Sequence, residues 1–85
     1  MSKNKIQLTP DIDVDSILAT MADKYKSESV NQIDGVKVDF EDSWVHLRKS
    51  NTEPIIRIYT EAPSQVEADA LAESIMSEIK AIATV

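Results

Sequence analysis

The sequence predicts an α+β fold: a two-layer sandwich with the element order β-α-β-β-β-α and two helices on one face of an antiparallel sheet. Two segments repeat apolar residues every three or four positions, as helices do, and four short segments alternate apolar with polar residues, as half-buried strands do. Both amphipathic helices need an apolar surface, and one sheet face can serve both. The other face is therefore predicted to stay open.

A strand and a helix come first. Residues 5–9 alternate apolar and polar side chains, and Pro10 then favours a turn. Asp13 is a suitable N-cap for a helix over residues 14–26. Residues 27–32 are polar and are predicted to form a loop. The apolar stripe of the helix consists of Val14, Ile17, Leu18, Met21, Ala22 and Tyr25.

Three strands and a second helix follow. Residues 36–41 and 44–48 alternate around a two-residue turn at Asp42-Ser43, and residues 55–61 resume the alternation. Ser64 and Glu67 have the spacing of a capping box, which predicts a helix that runs to about residue 82. If the apolar residues face the helices, the open face carries the alternate positions, which are Trp44, His46, Arg48, Ile55, Arg57 and Tyr59.

Length and composition predict one small domain. With 85 residues, 42% of them hydrophobic and 28% charged, the chain has the composition of a folded domain. A net charge of −6 opposes binding to nucleic acid or to an anionic membrane, and no apolar run is long enough to span one. The lack of cysteine fits a reducing compartment, so a cytoplasmic location is expected. Residues 1–4 are expected to be an unstructured or extraneous start before a single domain over 5–85.

The loop between the last two predicted strands is the main candidate site. Residues 44–59 hold Arg48, Lys49 and Arg57 against one acid, Glu53, a local charge of +2 in an acidic protein. Guanidinium groups bind phosphate bidentately, and hydroxyl, amide and backbone N–H donors can fill its remaining acceptors. Composition alone leaves two interpretations open: an anion-binding loop, or an ordinary polar loop with solvated cations.

The residue string favours the first interpretation. Residues 48–54 are Arg-Lys-Ser-Asn-Thr-Glu-Pro, after Asp-Gly-Val-Lys-Val-Asp-Phe at 34–40 and Trp-Val-His-Leu at 44–47, and before Ile-Ile-Arg-Ile-Tyr-Thr-Glu-Ala at 55–62. Over residues 5–82 the chain resembles the carboxyl-terminal domain of the α-D-phosphohexomutases, nearest to the phosphoglucosamine mutase and phosphomannomutase branches. The resemblance implies the fold of that domain, which is similar to the TATA-box-binding protein.

The resemblance also implies a role in a larger enzyme. The parent would interconvert hexose 6-phosphate and hexose 1-phosphate through a bisphosphate, using a phosphoserine and magnesium held by other domains. The loop over residues 48–53 would hold the phosphate that is not being transferred. Its matching positions are Arg48, Ser50, Asn51 and Thr52, with Arg57 at the exit and with Lys49 and Glu53 as loop support.

This chain is accordingly expected to hold no catalytic residue, metal or cofactor and to be inactive alone. Its expected partners are a hexose phosphate and the other domains of the parent, with no nucleic acid and no membrane. Many relatives of the glucosamine branch have Gly at the position of Asn51, so the choice of hexose stays open.

Three other features carry weaker hypotheses. His46 is the only histidine, and a single histidine without cysteine is a poor metal site. Asp11, Asp13 and Asp15 begin like a calcium loop, but its glycine and closing glutamate are missing, so helix capping is favoured. Trp44 and Tyr59 support the alternative function, an independent small module that recognises a protein or ligand with its open sheet face.

Overall fold

The structure, a computed structural model, describes residues 1–32, 35–50 and 53–83 and confirms the α+β sandwich. Five strands form one antiparallel sheet in the order β1-β5-β4-β3-β2, and α1 and α2 cover one of its faces. The elements in chain order are β1 (Ser2–Gln7), α1 (Val14–Lys24), β2 (Ser29–Asn31), β3 (Val36–Asp39), β4 (Trp44–Lys49), β5 (Ile55–Glu61) and α2 (Gln65–Ala83).

The core lies between the helices and the alternate residues of the strands. Leu47 of β4 and Ile56 and Ile58 of β5 are 0% exposed, as is Ile79 of α2. Fully burying such a side chain stabilises the fold by about 1.5–3 kcal/mol. The same alternation directs the intervening residues of β4 and β5 to the opposite, helix-free side, which we call the open face.

Two segments predicted to be irregular are strands. Ser29–Asn31, predicted to be a loop, is β2, an edge strand in which Val30 pairs with Val38 of β3. β1 begins at Ser2, three residues before the predicted start of the first strand, and pairs with β5 along its whole length. Both strands form because the backbone of a neighbouring strand offers them hydrogen bonds, whatever their own side-chain pattern.

The β3–β4 hairpin has a different register from the predicted one. Asp39 lies opposite Trp44, and the backbone N–H of Phe40 donates to the Ser43 carbonyl at 2.8 Å. The turn is therefore centred on Glu41 and Asp42 rather than on Asp42-Ser43. The pairing shifts by two residues, an even number, so the predicted faces of both strands are kept.

Both helices begin where the sequence indicates. The Asp13 carboxylate accepts from the Ser16 N–H at 3.2 Å, and the Ser64 hydroxyl oxygen accepts from the Glu67 N–H at 3.1 Å. α1 ends at Lys24, two residues before the predicted end, and α2 runs to Ala83. In the described ranges, neither helix is long and apolar enough to cross a membrane.

Polar contacts to a single carboxylate, that of Glu78, join the end of α1 to α2. The Tyr25 hydroxyl, just after α1, donates to Glu78 of α2 at 2.6 Å, and Lys24 forms an ion pair with the same carboxylate. Burial, together with the hydrogen bond and the charge of Glu78, raises the pKa of Tyr25 above its ordinary value. The neutral phenol is therefore the form that the folded state favours.

Replacing Tyr25 should reveal this preference as a pH dependence. Tyr25→Phe is expected to cost about 1 kcal/mol of unfolding free energy at neutral pH, since one partly exposed hydrogen bond is lost. A raised folded pKa gives stability that is complete below the unfolded pKa of about 10 and is lost as pH rises towards the folded pKa. Urea unfolding of both proteins should show the difference shrinking above about pH 10. A difference that stays constant to pH 11, or an equal cost from the control Tyr59→Phe, would contradict this account.

Candidate functional site

Backbone hydrogen bonds hold both ends of the loop that follows β4. The Ser50 N–H donates to the Ile55 carbonyl at 3.0 Å, and the Ile55 N–H donates to the Glu53 carbonyl at 2.8 Å. The Pro54 carbonyl accepts from the Leu8 N–H, just after β1, at 2.7 Å. Ile55 is buried although it lies at an open-face position. The predicted site residues Asn51 and Thr52 lie outside the described residues.

The two arginines lie at the base of this loop. Arg48 of β4 is the direct cross-strand partner of Arg57 of β5, and both are exposed on the open face. Residues directly opposite in an antiparallel pair have Cα atoms about 4.5–5.5 Å apart. Both guanidinium groups can therefore reach one ligand above the sheet. Ser50 is half-buried, and Glu53 is exposed.

Lys49 lies on the other side of the sheet. Its position in β4 directs it towards the helices, where its ammonium is 2.7 Å from the carboxylate of Asp15 in the first turn of α1. Both side chains are substantially exposed, so the pair is worth about 0–1 kcal/mol. This ion pair ties the start of the loop to α1 and places the Lys49 charge away from the arginines.

Gly35 sits directly against the start of the loop. Its φ of +79° lies in the left-handed region, and a Cβ there would be 2.2 Å from the Leu47 carbonyl oxygen and 3.3 Å from the Arg48 Cα. Only glycine lets the chain entering β3 pass so close to β4. With Arg48, Lys49 and Asp15, Gly35 lines a groove of about 360 Å³ at this end of α1.

The open face carries more positive charge than the arginine pair. Lys5 of β1 lies opposite Arg57, so three cations form one row across three strands, Lys5–Arg57–Arg48. The next row is Lys3, Tyr59, His46 and Lys37. The local charge count missed Lys3 and Lys5 because they are distant in sequence. Lys3 and Lys5 alternate with Asn4 and Ile6 in the sequence, and this alternation indicates that both lysines lie on one side of the sheet.

Trp44 and the acids Asp39 and Glu61 occupy the far end of the same face. The Lys37 ammonium is 5.0 Å from the centre of the Trp44 ring and 3.6 Å from the Asp39 carboxylate. Glu61 lies opposite Trp44. Within the described ranges, no group of three or more His, Cys, Asp or Glu side chains could hold a metal ion. Of the three aspartates that resemble the start of a calcium loop, Asp13 caps α1 and Asp15 forms an ion pair with Lys49.

The fold and the arginine pair thus define a small α+β domain with a cationic loop at one end of its sheet. Residues 5–78 match the model of the family described as phosphoglucomutase/phosphomannomutase, C-terminal domain, and the chain belongs to this family. The matched range includes Arg48, Arg57 and all residues between them.

Curated relatives from archaea agree with the family match. The chain is 39% identical over 82 residues to the phosphoglucosamine/phosphogalactosamine mutase of Sulfurisphaera tokodaii, covering 94% of this chain and 17% of that protein. It is 47% identical over 51 residues to the phosphoglucomutase/phosphomannomutase of Thermococcus kodakarensis, covering 60% of this chain and 11% of that protein. The chain thus spans less than a fifth of the length of these relatives.

Substituting Gly35 should strongly destabilise the domain. Gly35→Ala would place a methyl group against the Leu47 carbonyl and force a non-glycine residue to positive φ, so we expect a loss of about 2 kcal/mol or more. Urea unfolding measures this loss, with Ser27→Ala in the exposed segment after α1 as a control expected to change stability by less than about 0.5 kcal/mol. An unchanged unfolding midpoint for Gly35→Ala would show that β3 can move away from β4 at no cost.

Proposed function

We propose that this chain is the carboxyl-terminal, phosphate-binding domain of a phosphohexomutase. The parent would interconvert hexose 6-phosphate and hexose 1-phosphate through a bisphosphate intermediate, and the loop over residues 48–53 would hold the phosphate that is not being transferred. The observation that carries the proposal is the direct pairing of Arg48 with Arg57 at the base of the loop in a chain of this family.

The arginine pair suits a phosphate dianion. Two guanidinium forks can donate to different phosphate oxygens, and each charge-assisted bond is about twice as strong as a neutral one. The Ser50 N–H donates to the Ile55 carbonyl, and the Ser50 hydroxyl would donate to the phosphate. Asn51 and Thr52, which the structure does not describe, would complete the set. Lys49 and Glu53 would support the loop, Lys49 through its ion pair with Asp15.

The chemistry of transfer would belong to other parts of the parent. We propose that other domains of the parent hold the magnesium and the phosphoserine of this reaction. The names of the relatives include both amino-sugar and neutral-sugar mutases, and the proposed substrate class is accordingly a hexose phosphate. We further propose that the parent works in the cytoplasm, with its other domains as this chain's partners and with no nucleic acid bound.

The loop should respond to a hexose phosphate in the isolated chain. An amide-shift titration with glucosamine 6-phosphate or mannose 6-phosphate should move the signals of residues 48–53 and of Arg57. We expect a dissociation constant on the order of millimolar, because a few charge-assisted contacts barely exceed the cost of association. Loop signals that stay still while those around Trp44 move would contradict the proposal and favour the independent-module hypothesis.

Arg48→Ala should weaken phosphate binding without unfolding the domain. A hydrogen bond to a charged group contributes about 1.5–3 kcal/mol, so kcat/KM of the parent enzyme should fall at least about ten-fold. The unfolding midpoint of the isolated variant should stay close to the original, since Arg48 is exposed. Lys26→Ala removes one exposed charge just after α1 and serves as the control. Loss of cooperative unfolding in the Arg48 variant would assign this residue a structural role.

The isolated chain should not catalyse the mutase reaction, because the proposed phosphoryl donor and metal lie in other domains. The check is product formation from glucosamine 6-phosphate or mannose 6-phosphate, compared with a buffer blank. Product formation above that blank would contradict the proposal that other domains supply the phosphoryl donor and the metal.

A further inference from the structure

The protein's cations differ in whether a carboxylate neutralises them. Of the nine Lys and Arg residues, Lys24, Lys26, Lys37 and Lys49 each lie within 4 Å of a carboxylate, and Arg48 and Lys80 also have interaction partners. The remaining three are Lys3, Lys5 and Arg57. Within residues 1–32, 35–50 and 53–83, no carboxylate lies at ion-pair distance from any of them.

These three cations are neighbours on the open face. Lys5 lies opposite Arg57, and Lys3 lies opposite Tyr59, the next open-face residue of β5. Together with Asn4 they line a shallow groove of about 450 Å³ above β1 and β5. This groove is separate from the one that Gly35 and Lys49 line.

The row of cations Lys5–Arg57–Arg48 lowers the stability of the domain when no anion is bound. Like charges directly opposite each other on a sheet are destabilising, and Arg57 has Lys5 on one side and Arg48 on the other. The chain has 15 acidic residues, yet the acidic strand residues of this face, Asp39 and Glu61, lie two rows from Arg57, with Glu61 in the row next to Lys3. An anion above Arg57 would attract each of the neighbouring cations and so offset their mutual repulsion.

We propose that the groove formed by Lys3, Lys5, Arg57 and Tyr59 is a second phosphate-binding position, contiguous with the loop through Arg57. It goes beyond the proposed function, because it lies on β1 and β5 and needs no residue of the loop itself. The groove is open to solvent, and each residue that lines it carries a polar or charged group, which suits a compact, strongly charged ligand rather than an apolar one. Lysine ammonium groups on flexible stems and an arginine fork are the usual donors to phosphate oxygens.

The experiment is an amide-shift titration of the 85-residue chain with inorganic phosphate, against sodium chloride at matched ionic strength. The groove signals are those of residues 3–5 and Tyr59, because Arg57 is shared with the loop. Phosphate should move them in a saturable way, and chloride should not. Lys5→Gln should weaken the affinity fitted from the groove signals by about three-fold or more. The matched control, Lys26→Gln, changes net charge equally at a distant site and should leave that affinity unchanged.

The loop serves as an internal reference in the same titration. Loop signals that move while the groove signals stay still would overturn this inference and leave the proposed function standing. Groove signals that move while those of Arg48 and Ser50 stay still would support the second position and contradict the proposed function. Equal effects of Lys5→Gln and Lys26→Gln would show a response to net charge only, which also overturns the second position.

Discussion

The structure depends on burying alternate residues of β4 and β5 beneath α1 and α2. Leu47, Ile56 and Ile58 are completely inaccessible to solvent, so a slip of one residue in either strand would expose an apolar set and bury charges. That cost fixes the register and, with it, the side of the sheet on which Arg48 and Arg57 lie. The site therefore requires no separate device to orient the arginines, since the core orients them.

This constraint explains which elements can be inferred from sequence. β3, β4, β5 and both helices have a strongly periodic apolar pattern, and the caps Asp13 and Ser64 mark where the helices start. β2 has a single apolar residue, Val30, and the first residues of β1 are polar, so neither segment shows that pattern. Both are held by backbone pairing to a strand that is already in place, and such pairing leaves little trace in the side-chain sequence.

The same distinction applies to the candidate site. Arg48 and Arg57 are close in sequence and could be found from local charge and from the residue string between them. Lys49 belongs to the same charge cluster, yet strand alternation turns it towards Asp15. Lys3 and Lys5 are far away in sequence and join the site only through the β1–β5 pairing. A count along the chain thus includes one cation that faces away and omits Lys3 and Lys5, which lie on the face beside Arg57.

The position of β1 in the sheet affects how the domain assembles and how it can be divided. β1 pairs with β5 about fifty residues later in the chain, so closing this pair costs more chain entropy than forming the local β3–β4 and β4–β5 hairpins. Without β1, the apolar β5 would become the edge of the sheet and offer unpaired backbone groups to another molecule. A fragment that starts after Gln7 would therefore be an aggregating species rather than a smaller version of the domain.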